Sequence, residues 1–97
     1  MTPSDGPARV EAIAEIVNKR GLHARASAKL VETVARFQCE VSVTKDGTSV
    51  SGRSIMGLMM LGAGIGSTIS LVAEGPDAVA AMKAVTELIR GRFNEDS

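Results

Sequence analysis

The sequence predicts an α+β domain in which an antiparallel sheet carries helices on one face. Three observations lead there. The elements read from the chain run β-α-β-β-α-β-α, with no internal repeat. Two strand segments, residues 39–45 and 67–74, alternate apolar and polar side chains, as a sheet buried on one face requires. Two longer segments, 24–37 and 75–93, repeat apolar residues at helical spacing. Ninety-seven residues, 44% of them hydrophobic, are enough for one small domain. The aromatics are two phenylalanines, so the core must be aliphatic.

Residues 1–8 hold two prolines with Gly, Ser and Asp and read as a flexible N-terminal extension. "RVEAIAEIV" follows as a strand on its β-branched content. "ARASAKLVETVARF" is the first helix, with Leu30, Val31, Val34 and Phe37 on one stripe. "CEVSVTK" alternates Cys39, Val41 and Val43 against Glu40, Ser42 and Thr44. Asp46-Gly47 predicts a two-residue hairpin turn into the short strand "TSVSG". Ser54 is the expected N-cap of a short helix over "SIMGLMML", stopped by Gly62 and Gly64. Its apolar residues nearly surround the helix; Ile55, Leu58 and Leu61 are expected inside, with Met56 or Met59 outside. "STISLVAE" alternates Ile69, Leu71 and Ala73 against Thr68 and Ser70. In the last helix Pro76 suits the first position and Asp77 the positive end. Val79, Met82, Val85 and Ile89 are expected to form its buried stripe. The domain is thus expected over 9–93, with 94–97 a polar tail.

Composition excludes several classes of function. Eleven basic and eleven acidic residues give a net charge of zero, without the broad basic field of a nucleic-acid binder. One Cys and one His are too few for a zinc site, and one Cys forms no internal disulfide. No apolar run approaches a membrane span of ~20 residues. The start has no basic-then-apolar order of a signal peptide. The expectation is a cytoplasmic protein without metal, cofactor, nucleic-acid partner or membrane insertion.

Chemistry concentrates in "RGLHARASAKL". His23 is the single histidine and stands where a glycine-led loop meets a helix. A partly neutral imidazole can attack phosphorus and carry the phosphoryl group as a phosphoramidate. The free N–H groups of Ala24 and Arg25 at the helix start would face that phosphate. The Arg25 guanidinium can pair with its oxygens, and Gly21 permits the bend before it. The same residues also suit an ordinary surface histidine at a helix start, and the segment alone leaves both readings open. His23 as a base for Ser27 or Cys39 is the weaker chemistry, since no G-x-S-x-G elbow exists and Cys39 alternates with core positions. "GAGIGS" at 62–67 fits neither G-x-G-x-x-G nor a P-loop and reads as a loop. The methionines of "SIMGLMML" are either a docking surface or core filler. Ser54 is either a plain cap or a phosphosite.

Taken together, "GLHARASA" and "GRSIMGLMMLGAG" resemble the active-site and regulatory-serine segments of the histidine-containing phosphocarrier family, HPr, of the bacterial phosphoenolpyruvate-dependent phosphotransferase system. The resemblance covers roughly residues 9–93. It implies an open-faced β-sandwich, a four-stranded antiparallel sheet with three helices on one side. It implies that His23 is phosphorylated through Nδ1, with Arg25 as phosphate partner. Ser54 matches the serine modified by a kinase/phosphorylase in some members, and Ile55, Met56 and Met59 fall in the partner-docking segment. The implied donor is phospho-Enzyme I and the implied acceptors are Enzyme IIA proteins. The implied role is a carrier rather than a turnover enzyme, and a monomer is expected. An alternative of another class is a regulatory module whose phosphorylation state controls a signalling enzyme or transcription factor. Departures are Ala26 where many members have proline, Arg53 where many have lysine, and Glu32, which makes the helix face less basic.

Overall fold

Period-two patterning sorts each strand into a covered and an open side. The computed structural model describes residues 8–97. The elements are β1 (Ala8–Glu15), α1 (Ala24–Ala35), β2 (Glu40–Lys45), β3 (Thr48–Ser51), α2 (Ile55–Met60), β4 (Thr68–Gly75) and α3 (Ala78–Arg90), then a single turn at Arg92–Asn94. The expected N-terminal extension, apart from Ala8, lies outside the described residues. All pairings are antiparallel and the strand order is β1-β4-β2-β3. Ile69, Leu71 and Ala73 of β4 and Val41 and Val43 of β2 point to the covered side and are buried. Val43 stands opposite Leu71 on one neighbour and Val50 on the other, so the apolar rows coincide. On the other side Arg9, Glu11, Glu15, Glu40, Ser42, Thr68 and Ser70 are exposed. Arg9 there bonds Glu11 and Glu74, each at 3.3 Å. One face of the sheet carries three helices and the other is open, the expected open-faced sandwich.

The local signals work as read. The hairpin turns at Asp46 and Gly47, with φ of 49° and 83°, between paired Lys45 and Thr48. The Ser54 Oγ accepts the Gly57 N–H at 2.9 Å and caps α2. Gly62, at φ 65°, follows the α2 C-cap and reverses the chain; Gly64 lies in the loop beyond.

Three expectations need correction. First, α3 begins at Ala78, so Pro76 precedes the helix and does not open it. Asp77 is the N-cap, but its carboxylate accepts the Gln38 N–H at 2.8 Å and no helical N–H. Second, Val79 is 65% exposed, whereas Ala78 and Ala81 join Met82, Val85 and Ile89 inside. At 3.6 residues per turn Val79 lies about 100° from the middle of that stripe. Third, Ile55 is 39% exposed, so α2 buries Leu58 alone, with Leu61 just after it.

Candidate functional site

The loop between β1 and α1 is built to present His23. The Asn18 side-chain amide donates to the Gly21 carbonyl at 2.9 Å, and the Gly21 N–H donates back to the Asn18 carbonyl at 3.2 Å. Gly21 has φ 66°, and a Cβ there would lie 2.3 Å from the Ala63 carbonyl oxygen. That same oxygen accepts the Leu22 N–H at 2.9 Å. The glycine-containing loop after α2 is therefore a back wall for the loop before α1, which is the use the structure makes of "GAGIGS". His23 is the α1 N-cap, with extended backbone, and its carbonyl accepts the Ser27 N–H at 2.9 Å. Its side chain does not cap the helix. The N–H groups of Ala24, Arg25 and Ala26 have no helical acceptor and mark the positive end of a 12-residue helix.

A glutamate from the far end of the chain meets the histidine. His23 Nε2 lies 2.5 Å from Glu95 Oε2, across 72 positions of sequence. The Asn18 amide donates to the other carboxylate oxygen, Oε1, at 3.1 Å. Asn18 is fully buried, and its Oδ1 has no partner among the described residues. The chain reaches this point through Arg92, Phe93 and Asn94, three consecutive residues with φ of 58°, 54° and 63°. Three non-glycine residues in the left-handed region are costly, and a buried anchor holds them. Phe93 is fully buried, and Lys29 Nζ donates to its carbonyl at 2.5 Å. Burial alone would raise the Glu95 carboxyl. Hydrogen bonds from His23 and Asn18, and the charges of His23 and Lys29, outweigh it and hold the group below the ordinary glutamate range.

Beside this pair opens a cleft of about 670 Å³. Lys19, Arg20, Arg25 and Lys29 line it, with Asn94, Glu95, Asp96 and Ser97. Zero net charge thus coexists with four cations gathered at the start of α1. Arg25 is exposed and has no carboxylate partner among the described residues. Its guanidinium is free to meet an anion there.

The remaining candidates separate from the histidine. Ser27 is buried and its hydroxyl donates to the Leu22 carbonyl at 3.1 Å, so it is not poised as a nucleophile. Cys39 is buried at the sheet, where desolvation pushes its thiol up, against the lowering charge of Arg53. Arg53 itself donates to the carbonyls of Phe37 and Cys39. Met56 is 71% exposed, and Ile55 and Met59 are also exposed. Met60 and Ile65, not singled out from sequence, are exposed as well. Asn18, Lys29 and Glu95 were also missed, although Phe93, a rare aromatic after Gly91, hints at an anchored C-terminal segment. Among the described residues no helix is long and apolar enough to cross a membrane, and no three potential ligands converge on a metal site.

Comparison with known proteins points to a family of phosphocarriers. A family model described as "PTS HPr component phosphorylation site" matches residues 10–91. The phosphocarrier protein HPr of Neisseria meningitidis serogroup A is 54% identical over 81 residues, 84% of this chain and 91% of that protein. The crystal structure of HPr-C-His from Thermoanaerobacter tengcongensis superposes with a TM-score of 0.87 at 43% identity, covering 91% of this chain and 99% of that one. An HPr dimer structure from the same organism gives 0.72 at 46% identity, covering 84% and 93%.

Proposed function

The chain belongs to the HPr phosphocarrier family of the phosphotransferase system, and from that premise we propose that His23 is the residue that carries the phosphoryl group. The phosphoryl group comes from phospho-Enzyme I and goes to Enzyme IIA proteins. The Nδ1 lone pair forms the new N–P bond as the donor's N–P bond breaks, and the donor ring keeps the electron pair. The acceptor repeats the step in turn. The observation that carries this reading is the setting of His23: the N-cap of α1, with three unbonded N–H groups beyond it and four cations on the adjoining cleft. These donors and charges suit the equatorial oxygens of a phosphoryl group in flight, where positioning and charge do most of the catalysis. Arg25 is the side-chain phosphate partner, and Ala24 and Arg25 supply backbone donors. The protein acts as a cytoplasmic monomer and as a carrier without turnover of its own.

Ser54 is the regulatory phosphosite for a kinase/phosphorylase. A phosphate there adds about two negative charges beside Ile55, Met56 and Met59, the docking residues, and so weakens binding to an acidic partner. The regulatory-module alternative is not favoured by the family assignment.

The test is incubation with Enzyme I and phosphoenolpyruvate, followed by intact mass measurement. One acid-labile phosphate is expected on the wild type and none on His23→Ala. A phosphate that persists in His23→Ala overturns the assignment.

A further inference from the structure

We infer that Glu95 is a positioning residue: its carboxylate accepts the Nε2–H of His23, leaves Nδ1 as the free lone pair, and stabilises the ring as it becomes positive. The inference rests on the proposed role of His23. A neutral imidazole carries one proton, and the partner of one nitrogen decides which nitrogen keeps it. An ionised carboxylate is acceptor-only, so the 2.5 Å contact puts the proton on Nε2. Nδ1 then has the lone pair, and it makes no hydrogen bond among the described residues. When Nδ1 attacks phosphorus the ring gains positive charge, with Nε2 still protonated. A carboxylate already in place meets that charge without rearrangement. The aspartate of a Ser-His-Asp triad works in the same way.

Two further observations support the role. The carboxylate is held at both oxygens, by His23 and by the buried Asn18 amide, so its direction is set. The chain also tolerates three left-handed residues to bring it there, anchored by Phe93 in the core and by the Lys29 bond to the Phe93 carbonyl. Strain of this kind persists where the surroundings over-determine it, and it clusters at functional sites. Glu95 belongs to the segment that sequence patterning assigns to a polar tail, which makes its tether to His23 the less expected.

The experiment uses the full chain. His23 is the sole histidine, so its ring nitrogens give one unambiguous set of ¹⁵N signals. In the unphosphorylated wild type these should report the Nε2–H tautomer, and in Glu95→Ala a mixture. Phosphorylation by Enzyme I and phosphoenolpyruvate should slow by roughly 10- to 100-fold in Glu95→Ala, the range typical when a metal-ligating histidine loses the group that orients it. Glu95→Gln keeps an acceptor oxygen without the charge; it should preserve the tautomer and slow transfer less. Glu95→Asp should recover part of the rate. An Nδ1–H tautomer in the wild type overturns the positioning role even if His23 is phosphorylated normally. A Glu95→Ala protein that transfers at the wild-type rate does the same. If the tautomer is as expected but no phosphate reaches wild-type His23, the carrier reading fails and the positioning role fails with it. The ring signals distinguish that case from the first.

Discussion

Gly21 and Gly62 share almost the same backbone angle, φ 66° and 65°, but not the same surroundings. A Cβ on Gly21 would lie 2.3 Å from the Ala63 carbonyl oxygen and 2.7 Å from the Gly64 Cα, both backbone atoms; on Gly62 it would meet nothing within 4 Å. Replacing either by alanine incurs the left-handed penalty, about 1–2 kcal/mol. Only Gly21→Ala must also push the two loops apart, breaking the Leu22 N–H bond to Ala63, for about 1 kcal/mol more plus lost packing. Gly62→Ala should therefore destabilise by about 1–2 kcal/mol and Gly21→Ala by about 2–4 kcal/mol. At roughly 4–8 °C per kcal/mol for a domain of this size, the two melting temperatures should differ by about 5–15 °C. Urea and thermal unfolding followed by circular dichroism measure the two quantities, and the shared φ cancels in the difference. Because the displaced loop carries His23, Gly21→Ala should also accept phosphate more slowly than Gly62→Ala when both are fully folded. Equal stabilities, within about 0.5 kcal/mol, would refute the close approach of the two loops and the back-wall role given to Ala63.

Four further outcomes are expected. Arg25→Ala should slow phosphoryl acceptance roughly 10- to 100-fold, the equivalent of the ~1.5–3 kcal/mol of a charge-assisted hydrogen bond, with unchanged melting; single-turnover kinetics with phospho-Enzyme I measures it. Met56→Glu should change stability by less than about 0.5 kcal/mol, as exposed sites do, yet weaken binding to Enzyme I by calorimetry; a large fall in melting temperature would place Met56 in the core. The Glu95 carboxyl is depressed in the folded state, so its stabilisation is present above the unfolded value, about 4.3, and is lost as pH falls through the lower folded value. Wild type and Glu95→Gln should then differ most near neutrality and converge in acid, as urea midpoints across pH will show. Arg92→Gly relieves one left-handed residue and should be neutral or stabilising by up to about 1 kcal/mol despite the added chain entropy.

What was legible in the sequence is what is decided locally. Alternation in 39–45 and 67–74 set the strand faces, because side chains of a strand alternate whatever it pairs with. Asp46-Gly47 and Ser54 were readable because a hairpin turn and a helix cap each depend on a few neighbouring residues. The stripe of α3 was misjudged at Val79 because the start of the helix was placed too early and because alanine is a weak apolar marker. Ala78 and Ala81 face the core where their small size lets the helix sit close. Ile55 was misjudged because a six-residue helix has too little length for a stripe to declare its direction. Glu95 was out of reach for a different reason. Nothing in "RGRFNEDS" signals three left-handed residues, since only asparagine among Arg92, Phe93 and Asn94 is at home there. The pairing with His23 exists only once the whole domain has folded.

The site is thus assembled from three parts of the chain with different dependence on the fold. The helix start supplies its N–H groups wherever α1 forms. The Ala63 wall requires α2 and the loop after it. The Glu95 carboxylate requires Phe93 to be seated in the core. On the proposed reading the protein meets different partners in turn, and His23 must stand in the same place for each. Three-sided support meets that demand better than a single cap, since a partner that presses on one side leaves the other two in place. The apolar patch of Ile55, Met56 and Met59 lies on α2, which packs directly on α1. On the proposed docking role, a partner that grips α2 holds an element packed on the helix that His23 caps, so docking and alignment of the phosphorus become one event.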